Sequence, residues 1–355
     1  MLNIFGRSAE IEIALDDTIK NSGRKLSNIN YQPSDLHTPR SLPLFYDGES
    51  ITGKVNINLK AKKLEYKGIQ IEVIGVIELF GDKSNQYEFL SEAILLAGPE
   101  VVTTNRVYDF SFNNVNKPHE SYSGINVSCR YFLRVRIVKM LADQVKEQDF
   151  IVHTIAQYSE DQEKQIKMEV GIEGSLHIEF LYKKSKYHLE DIIVGKIYFM
   201  MVRLKIKHME LCIVRKESAG FGQNQYNEPD IVAKYDIMDG PPNRGEEIPL
   251  RLYLKPYASA GKITPTMKEV AKRFSVRYFL HLKLVDEDER TYYKQQEIHL
   301  WRKPLETMGL NMYSSRSHEI GNCNDLREQN IRKKELAAMQ KKQEEDDYDG
   351  EEAAF

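Results

Sequence analysis

The chain contains the run Arg130-Tyr-Phe-Leu-Arg-Val-Arg-Ile-Val138 and, 147 residues later, the similar run Arg277-Tyr-Phe-Leu-His-Leu-Lys-Leu-Val285. In both runs every second residue is apolar, and most of the residues between are basic. A period of two places the apolar set on one buried face of a β-strand and leaves the other set to solvent. The same strand pattern therefore occurs twice in this chain.

A second pair of similar runs supports a duplication. Ile51-Thr-Gly-Lys-Val55 is echoed by Ile193-Val-Gly-Lys-Ile197, 142 residues further along the chain. Two pairs in the same order with similar spacings indicate a tandem repeat of one structural unit. We therefore predict two similar antiparallel β-sandwiches, residues 8–155 and 165–305, joined by the polar stretch 157–164.

The spacing of the strand patterns favours an all-β fold. Val202, Leu204 and Ile206 alternate with polar residues, after which the apolar set shifts phase to Met209, Leu211 and Ile213. A β-bulge or a change of sheet near His208 would produce that shift. Few gaps between strand patterns are long enough for a crossover helix, so antiparallel sandwiches are favoured over an α/β fold.

Two segments lack a strand pattern. Residues 306–355 contain few large apolar side chains and end in an acidic run, which predicts a disordered acidic tail. Residues 20–40 are rich in Asn and Ser and are predicted to form a long surface loop of the first sandwich.

Composition limits the classes of partner. The net charge is −3 with both signs mixed along the chain, which argues against a nucleic-acid partner. The three cysteines are widely separated, which is typical of a reducing compartment such as the cytoplasm. No apolar stretch approaches the roughly 18 residues that span a bilayer, so we expect any membrane contact to be indirect, through a partner.

The sequence offers no recognisable catalytic motif. Phosphate-loop, zinc-protease and nucleophile-elbow patterns are all missing from it, and we predict no enzyme activity, no cofactor and no metal. The acid-rich stretches Tyr46-Asp-Gly-Glu-Ser50 and Asp286-Glu-Asp-Glu289 fall between strand patterns and are interpreted as turns. Cys129 and Cys212 lie within strand patterns and are expected to act as small apolar residues.

Several stretches together resemble one known family. They include Phe45-Tyr-Asp-Gly-Glu-Ser-Ile-Thr-Gly-Lys54, Ile166-Lys-Met-Glu-Val-Gly-Ile-Glu173, Lys234-Tyr-Asp-Ile-Met-Asp-Gly240 and Leu300-Trp-Arg-Lys303. In this order they are similar to the vacuolar protein sorting-associated protein 26 family, the arrestin-like subunits of the retromer coat. The resemblance implies an arrestin fold and a non-catalytic role. It also implies a cytoplasmic protein, peripherally associated with endosomal membranes.

The resemblance further implies partners and contact residues. Family members bind the helical-solenoid subunit, vacuolar protein sorting-associated protein 35, and help return transmembrane cargo from endosomes to the Golgi or the cell surface. The solenoid contact matches Ile237, Met238, Asp239 and Gly240. A sorting nexin, which brings the assembly to the membrane, meets the positions that match Asp47 and Ile155. Transmembrane cargo tails are the remaining implied partners.

The strand pattern of residues 231–238 adds an expectation about the solenoid contact. Neighbouring residues of a strand point to opposite faces, so Ile237 and Met238 cannot both face the core, and one is expected near solvent. Two alternatives to the retromer interpretation stay open. One is a generic arrestin-type receptor adaptor, although Pro241-Pro-Asn-Arg244 lacks the tyrosine of a PPxY motif. The other is a β-sandwich hydrolase or metal-binding enzyme.

Overall fold

The computed structural model describes residues 8–16, 42–80, 86–156, 158, 165–220 and 225–304. The predicted loop 20–40, most of the predicted linker 157–164 and the predicted tail 306–355 lie outside these residues. Within them the chain forms 21 β-strands and one short helix, which confirms the all-β prediction. None of the described helices is long and apolar enough to cross a bilayer.

The described residues of the first half form eleven strands. They are β1 (Ala9–Leu15), β2 (Leu44–Tyr46), β3 (Ile51–Leu59), β4 (Leu64–Tyr66), β5 (Gly68–Leu79), β6 (Gln86–Ala97), β7 (Glu100–Val102), β8 (Arg106–Phe112), β9 (Tyr122–Ser123), β10 (Val127–Val138) and β11 (Gln144–His153). Strands β1, β3 and β8 form one sheet. The order β2-β11-β10-β5-β6 forms a larger sheet, with β9 paired to β10.

The described residues of the second half form ten strands and the helix. They are β12 (Ile166–Ile172), β13 (Leu176–Tyr182), β14 (Lys186–His188), β15 (Ile192–Val202), β16 (Ile206–Ala219), β17 (Tyr226–Asp239), β18 (Glu247–Tyr253), α1 (Lys255–Ser259), β19 (Met267–Val270), β20 (Phe274–Asp286) and β21 (Thr291–Trp301). One sheet has the order β12-β13-β15-β18. The other has the order β14-β21-β20-β16-β17, with β19 paired to β20.

The two larger sheets have the same architecture. Strands β10 and β20, which carry the repeated sequence run, occupy the same central position in their sheets. Burial alternates along β20, as its period of two requires, and its inward apolar residues enter the hydrophobic core. The internal repeat of the sequence thus corresponds to a repeat of strand order.

Two short strand pairs are parallel. Strand β2 runs parallel to β11, and β14 runs parallel to β21, in corresponding places of the two larger sheets. The partners are far apart in sequence and no hairpin joins them, so nothing forces them to be antiparallel. All other described ladders are antiparallel.

Bulges interrupt the pairing of β16 with both of its neighbours in the second larger sheet. The pairing of β16 with β20 shifts between Ile206 and His208, which confirms the predicted bulge near His208. The pairing of β16 with β17 shifts twice more, between Met209 and Glu210 and between Ile213 and Val214. These shifts change which face each following side chain occupies, and they shape the end of β17.

Candidate partner-binding sites

The end of strand β17 carries the four residues predicted to bind the solenoid. Met209 pairs with Met238 while Glu210 pairs with Asp236, so Ile237 is the extra residue of a bulge. Ile237 and Met238 are both half-buried, and both pack against the core. The expected division between a core face and a solvent face is therefore wrong here, because the bulge breaks the alternation.

The turn after this strand end is fixed by hydrogen bonds. Gly240 has a φ of 96°, a backbone conformation that favours glycine, and its N–H donates to the carbonyl oxygen of Lys207 at 2.8 Å. Asp239 is exposed, and its Oδ1 lies 2.6 Å from Nδ1 of His208. Lys207 in turn forms an ion pair with the carboxylate of Glu289. The strand end is thus held to β16 at Asp239 and at Gly240.

A buried carboxylate lies beneath the same strand end. Glu210 is 5% exposed, and its carboxylate lies 2.5 Å from Nζ of Lys234, 3.3 Å from Nζ of Lys283 and 3.3 Å from Nε2 of His208. Burial alone would raise the pKa of Glu210, but the hydrogen bonds from these three groups lower its pKa to about 2. The hydrogen bond to Asp239 is the main cause that raises the pKa of His208. The network therefore favours the charged form of both groups.

Two groups of side chains in the described residues have the composition of a metal site. One comprises Glu169, His177 and Glu179, and the other His208, Glu210 and Asp236. Each already contains a lysine ammonium within ion-pair distance of its two carboxylates. Lys167 lies 3.0 and 2.9 Å from the first pair, and Lys234 lies 2.5 and 3.9 Å from the second. Both groups are ion-pair networks in this structure.

The two residues predicted to contact a nexin lie near each other. The parallel pairing of β2 with β11 sets Tyr46 opposite His153, so Asp47 lies one residue beyond the end of β2 and Ile155 two residues beyond the end of β11. Asp47 is exposed and Ile155 is half-buried. Oδ1 of Asp47 accepts a hydrogen bond from the backbone N–H of Lys117 at 2.7 Å. Asp47 is therefore exposed and also holds the backbone at Lys117.

Sequence reasoning missed the buried lysine behind this loop. Lys117 is fully buried, and its Nζ donates to the carbonyl oxygens of Glu49 at 2.6 Å and Val115 at 2.8 Å. Burial lowers the pKa of Lys117 to about 8, although nearby carboxylates partly oppose the change. The N–H of Gly48, where φ is 76°, also donates to the carbonyl of Val115 at 3.1 Å. These bonds fix the turn that presents Asp47.

A buried glutamate from the second half is inserted into the first half. Glu217 is 2% exposed and accepts hydrogen bonds from the Tyr122 hydroxyl at 2.8 Å, the Ile125 N–H at 3.0 Å and the Asn126 N–H at 2.7 Å. A Cβ at Gly124 would lie 1.6 Å from Oε2 of Glu217, so only glycine leaves space for this carboxylate. Three donors compensate for its burial.

A second buried carboxylate makes the converse contact. Glu120 of the first half is 2% exposed, and its oxygens accept hydrogen bonds from Nη1 of Arg302 at 2.5 Å and from the N–H of Thr154 at 2.5 Å. One signal in the sequence could have pointed to these contacts between the two halves. Glu217 stands at a position of β16 that continues the buried set Met209, Leu211 and Ile213, where an apolar residue is expected.

Comparisons with known proteins give one consistent result. The family model described as vacuolar protein sorting-associated protein 26 matches residues 5–289. The chain is 53% identical over 301 residues to vacuolar protein sorting-associated protein 26B of Mus musculus and, equally, to that of Homo sapiens, covering 84% of this chain and 86% of each relative. The protein of the same name in Xenopus tropicalis is 51% identical over the same shares.

Proposed function

This chain belongs to the vacuolar protein sorting-associated protein 26 family, whose all-β fold is arrestin-like, and is thus a protein-sorting subunit of the vacuolar or endosomal system; we propose that it acts in the retromer coat by binding a helical-solenoid subunit. The solenoid contact is the β17 end, Ile237–Gly240. Its role is to hold partners together and involves no catalysis. Through it the coat retrieves transmembrane cargo from endosomes to the Golgi or the cell surface.

The observation that carries this proposal is the bulge at Ile237. It leaves two neighbouring apolar side chains half-buried at the end of a sheet-edge strand, each with surface still open to a partner. Interface anchors are typically apolar side chains that become fully desolvated on binding, within a polar rim. Asp236 and Asp239 supply exposed polar groups on either side.

The fixed geometry also favours binding. The Gly240-to-Lys207 hydrogen bond and the contact between His208 and Asp239 hold the strand end in one conformation before a partner arrives. A surface that is already ordered loses less conformational entropy on association. The β17 end therefore suits a rigid partner such as a solenoid of packed helices.

A second contact in this proposal involves a sorting nexin. Asp47 offers an exposed carboxylate and Ile155 a half-buried apolar surface close by, and the bonds of Lys117 hold the Asp47 turn in place. The nexin would bring the assembly to the endosomal membrane, where cargo tails are collected. In this proposal the protein is cytoplasmic and peripherally associated with endosomes.

Direct mixing of purified components tests the proposal. The chain and the helical-solenoid subunit, vacuolar protein sorting-associated protein 35, should form an equimolar complex on gel filtration and give a saturable calorimetric titration. If the two proteins elute separately at micromolar concentrations and give no heat of binding, the proposed function is wrong. A chain lacking the Asp47 carboxylate, Asp47→Ala, should still bind the solenoid and lose only nexin binding.

A further inference from the structure

We propose that one end of the first sandwich, which we call the basic tip, binds anionic lipid bilayers directly. The basic tip consists of residues 60–63, Lys67 and the 139–144 turn between β10 and β11. The inference does not depend on the solenoid contact. It supplements recruitment by a nexin with a weak contact made by this chain itself.

The turn projects two apolar side chains into solvent. Met140 is 76% exposed and Leu141 is 96% exposed, which makes them the most exposed large apolar side chains among the described residues. The two residues are neighbours in the turn of the β10–β11 hairpin. Transfer of such a pair from water to the apolar boundary of a bilayer lowers the free energy.

The base of the hairpin is held in place. Nζ of Lys139 donates to the Ser8 hydroxyl at 2.6 Å and to Oε1 of Gln144 at 3.0 Å. Nε2 of Gln144 donates to the carbonyl oxygen of Ala9 at 2.5 Å. The exposed pair is therefore presented by an ordered turn, and little conformational entropy is lost when it meets a surface.

Lysines from a distant part of the sequence surround this base. The carbonyl oxygen of Ser8 accepts hydrogen bonds from the N–H of Lys60 at 3.0 Å and of Ala61 at 3.2 Å, which brings the 60–63 bend to the same place. The N–H of Lys67 donates to the carbonyl of Val138 at 2.8 Å, directly before the turn. The exposed lysines of the tip are Lys60, Lys62, Lys63 and Lys67.

Acidic groups compensate only part of this charge. Glu10 pairs with Lys60 at 3.0 Å, and Glu65 and Asp143 are also exposed nearby. Lys62, Lys63 and Lys67 have no ion pair among the described contacts, and Lys139 adds a further positive charge. The tip thus has a positive excess, although the whole chain carries a net charge of −3.

Exposed lysines beside an exposed apolar pair favour a lipid surface over a protein as the partner. Lysine is depleted from the centres of protein–protein interfaces. At an anionic bilayer, by contrast, lysine stems cover apolar surface while their ammonium groups reach the lipid phosphates and carboxylates. A few lysines plus one apolar pair give weak, reversible binding to such a surface.

Vesicle flotation of the full-length chain tests the proposal. The vesicles are phosphatidylcholine alone or phosphatidylcholine with about a third phosphatidylserine, at low and at physiological ionic strength. The variants are Met140→Ser/Leu141→Ser and Lys62→Ser/Lys63→Ser. The matched control is Met200→Ser/Ile192→Ser, which removes two exposed apolar side chains from the second half.

We expect binding to the anionic vesicles only, weakened by salt. The apolar-pair variant should lose about tenfold or more in partition, and the lysine variant up to about 30-fold, while the control matches the wild type. The proposal is overturned if the wild type ignores anionic vesicles at low salt, or if the apolar-pair variant binds them equally well. It is also overturned if sedimentation reveals a dimer that the apolar-pair variant loses while its vesicle binding is unchanged, because the tip would then join two copies of this chain.

Discussion

Replacing Ile237 by Asp and Met238 by Asn should abolish practical binding to the solenoid subunit. Fully burying one such side chain contributes about 1.5 to 3 kcal/mol, and the chain itself already buries part of each. About 1 kcal/mol per residue is then left for the partner to gain. A carboxylate placed in a desolvated interface adds a penalty of a further 2 kcal/mol or so. The total of about 4 kcal/mol corresponds to a loss of about 1,000-fold in affinity.

The same substitutions should also lower the stability of the free chain. Because Ile237 and Met238 both pack against the core, we expect the melting temperature to fall by several degrees while the β-type circular dichroism spectrum is kept. Ile231→Asp is the matched control, since Ile231 lies on the same strand and is 63% exposed. It should bind the solenoid like the wild type.

Isothermal titration calorimetry gives the decisive comparison. If the folded double variant binds within about threefold of the wild type, the contact lies elsewhere and the reasoning from the bulge is refuted. If the double variant is unfolded at the assay temperature, the single variant Met238→Asn decides. A folded Met238→Asn chain with full affinity would equally refute the anchor.

Three further predictions concern stability and local order. Gly124→Ala forces a Cβ onto the buried Glu217 carboxylate and should lower the melting temperature by many degrees, whereas Gly98→Ala, with open space at its Cβ, should not; equal melting curves would contradict this. Glu210 has its pKa lowered to about 2, so its contribution is present above its ordinary pKa and is lost as the pH falls from about 4.5 towards 2. Over that pH range the free energy of unfolding should therefore fall by about 2 to 3 kcal/mol less in Glu210→Gln than in the wild type. Equal losses in the two proteins would disprove this prediction. Lys117→Met should speed hydrogen exchange of the Gly48 amide by loosening the Asp47 turn, and unchanged exchange would show that the turn is held by other contacts.

The sequence predicted the features that depend on local periodicity. The repeated run around Tyr131 and Tyr278 predicts two similar units, and the strands that carry it hold corresponding places in two sheets of similar strand order. The phase shift near His208 predicts the bulge found there, because it leaves a trace in the order of apolar residues. The bulge at Ile237 left no comparable trace. It depends on the register of β17 against β16, which is set by pairing across the sheet.

Features made by residues distant in sequence were not predictable in this way. Glu217 meets the Asn126 amide across 91 residues, and Lys139 meets Ser8 across 131 residues. No pattern of neighbouring residues reports such contacts. Overall charge also hid the basic tip, since a chain of net charge −3 can still concentrate its lysines at one end.

The two buried carboxylates between the halves have a mechanical consequence. Each half contributes one of them, Glu120 and Glu217, and each is bonded by groups of the opposite half. Separating the halves would break the hydrogen bonds of both carboxylates at once. Because the two carboxylates come from opposite halves, these bonds resist sliding of either half past the other. A force applied at the β17 end would therefore be passed to the first half of the chain through both of these bonded carboxylates.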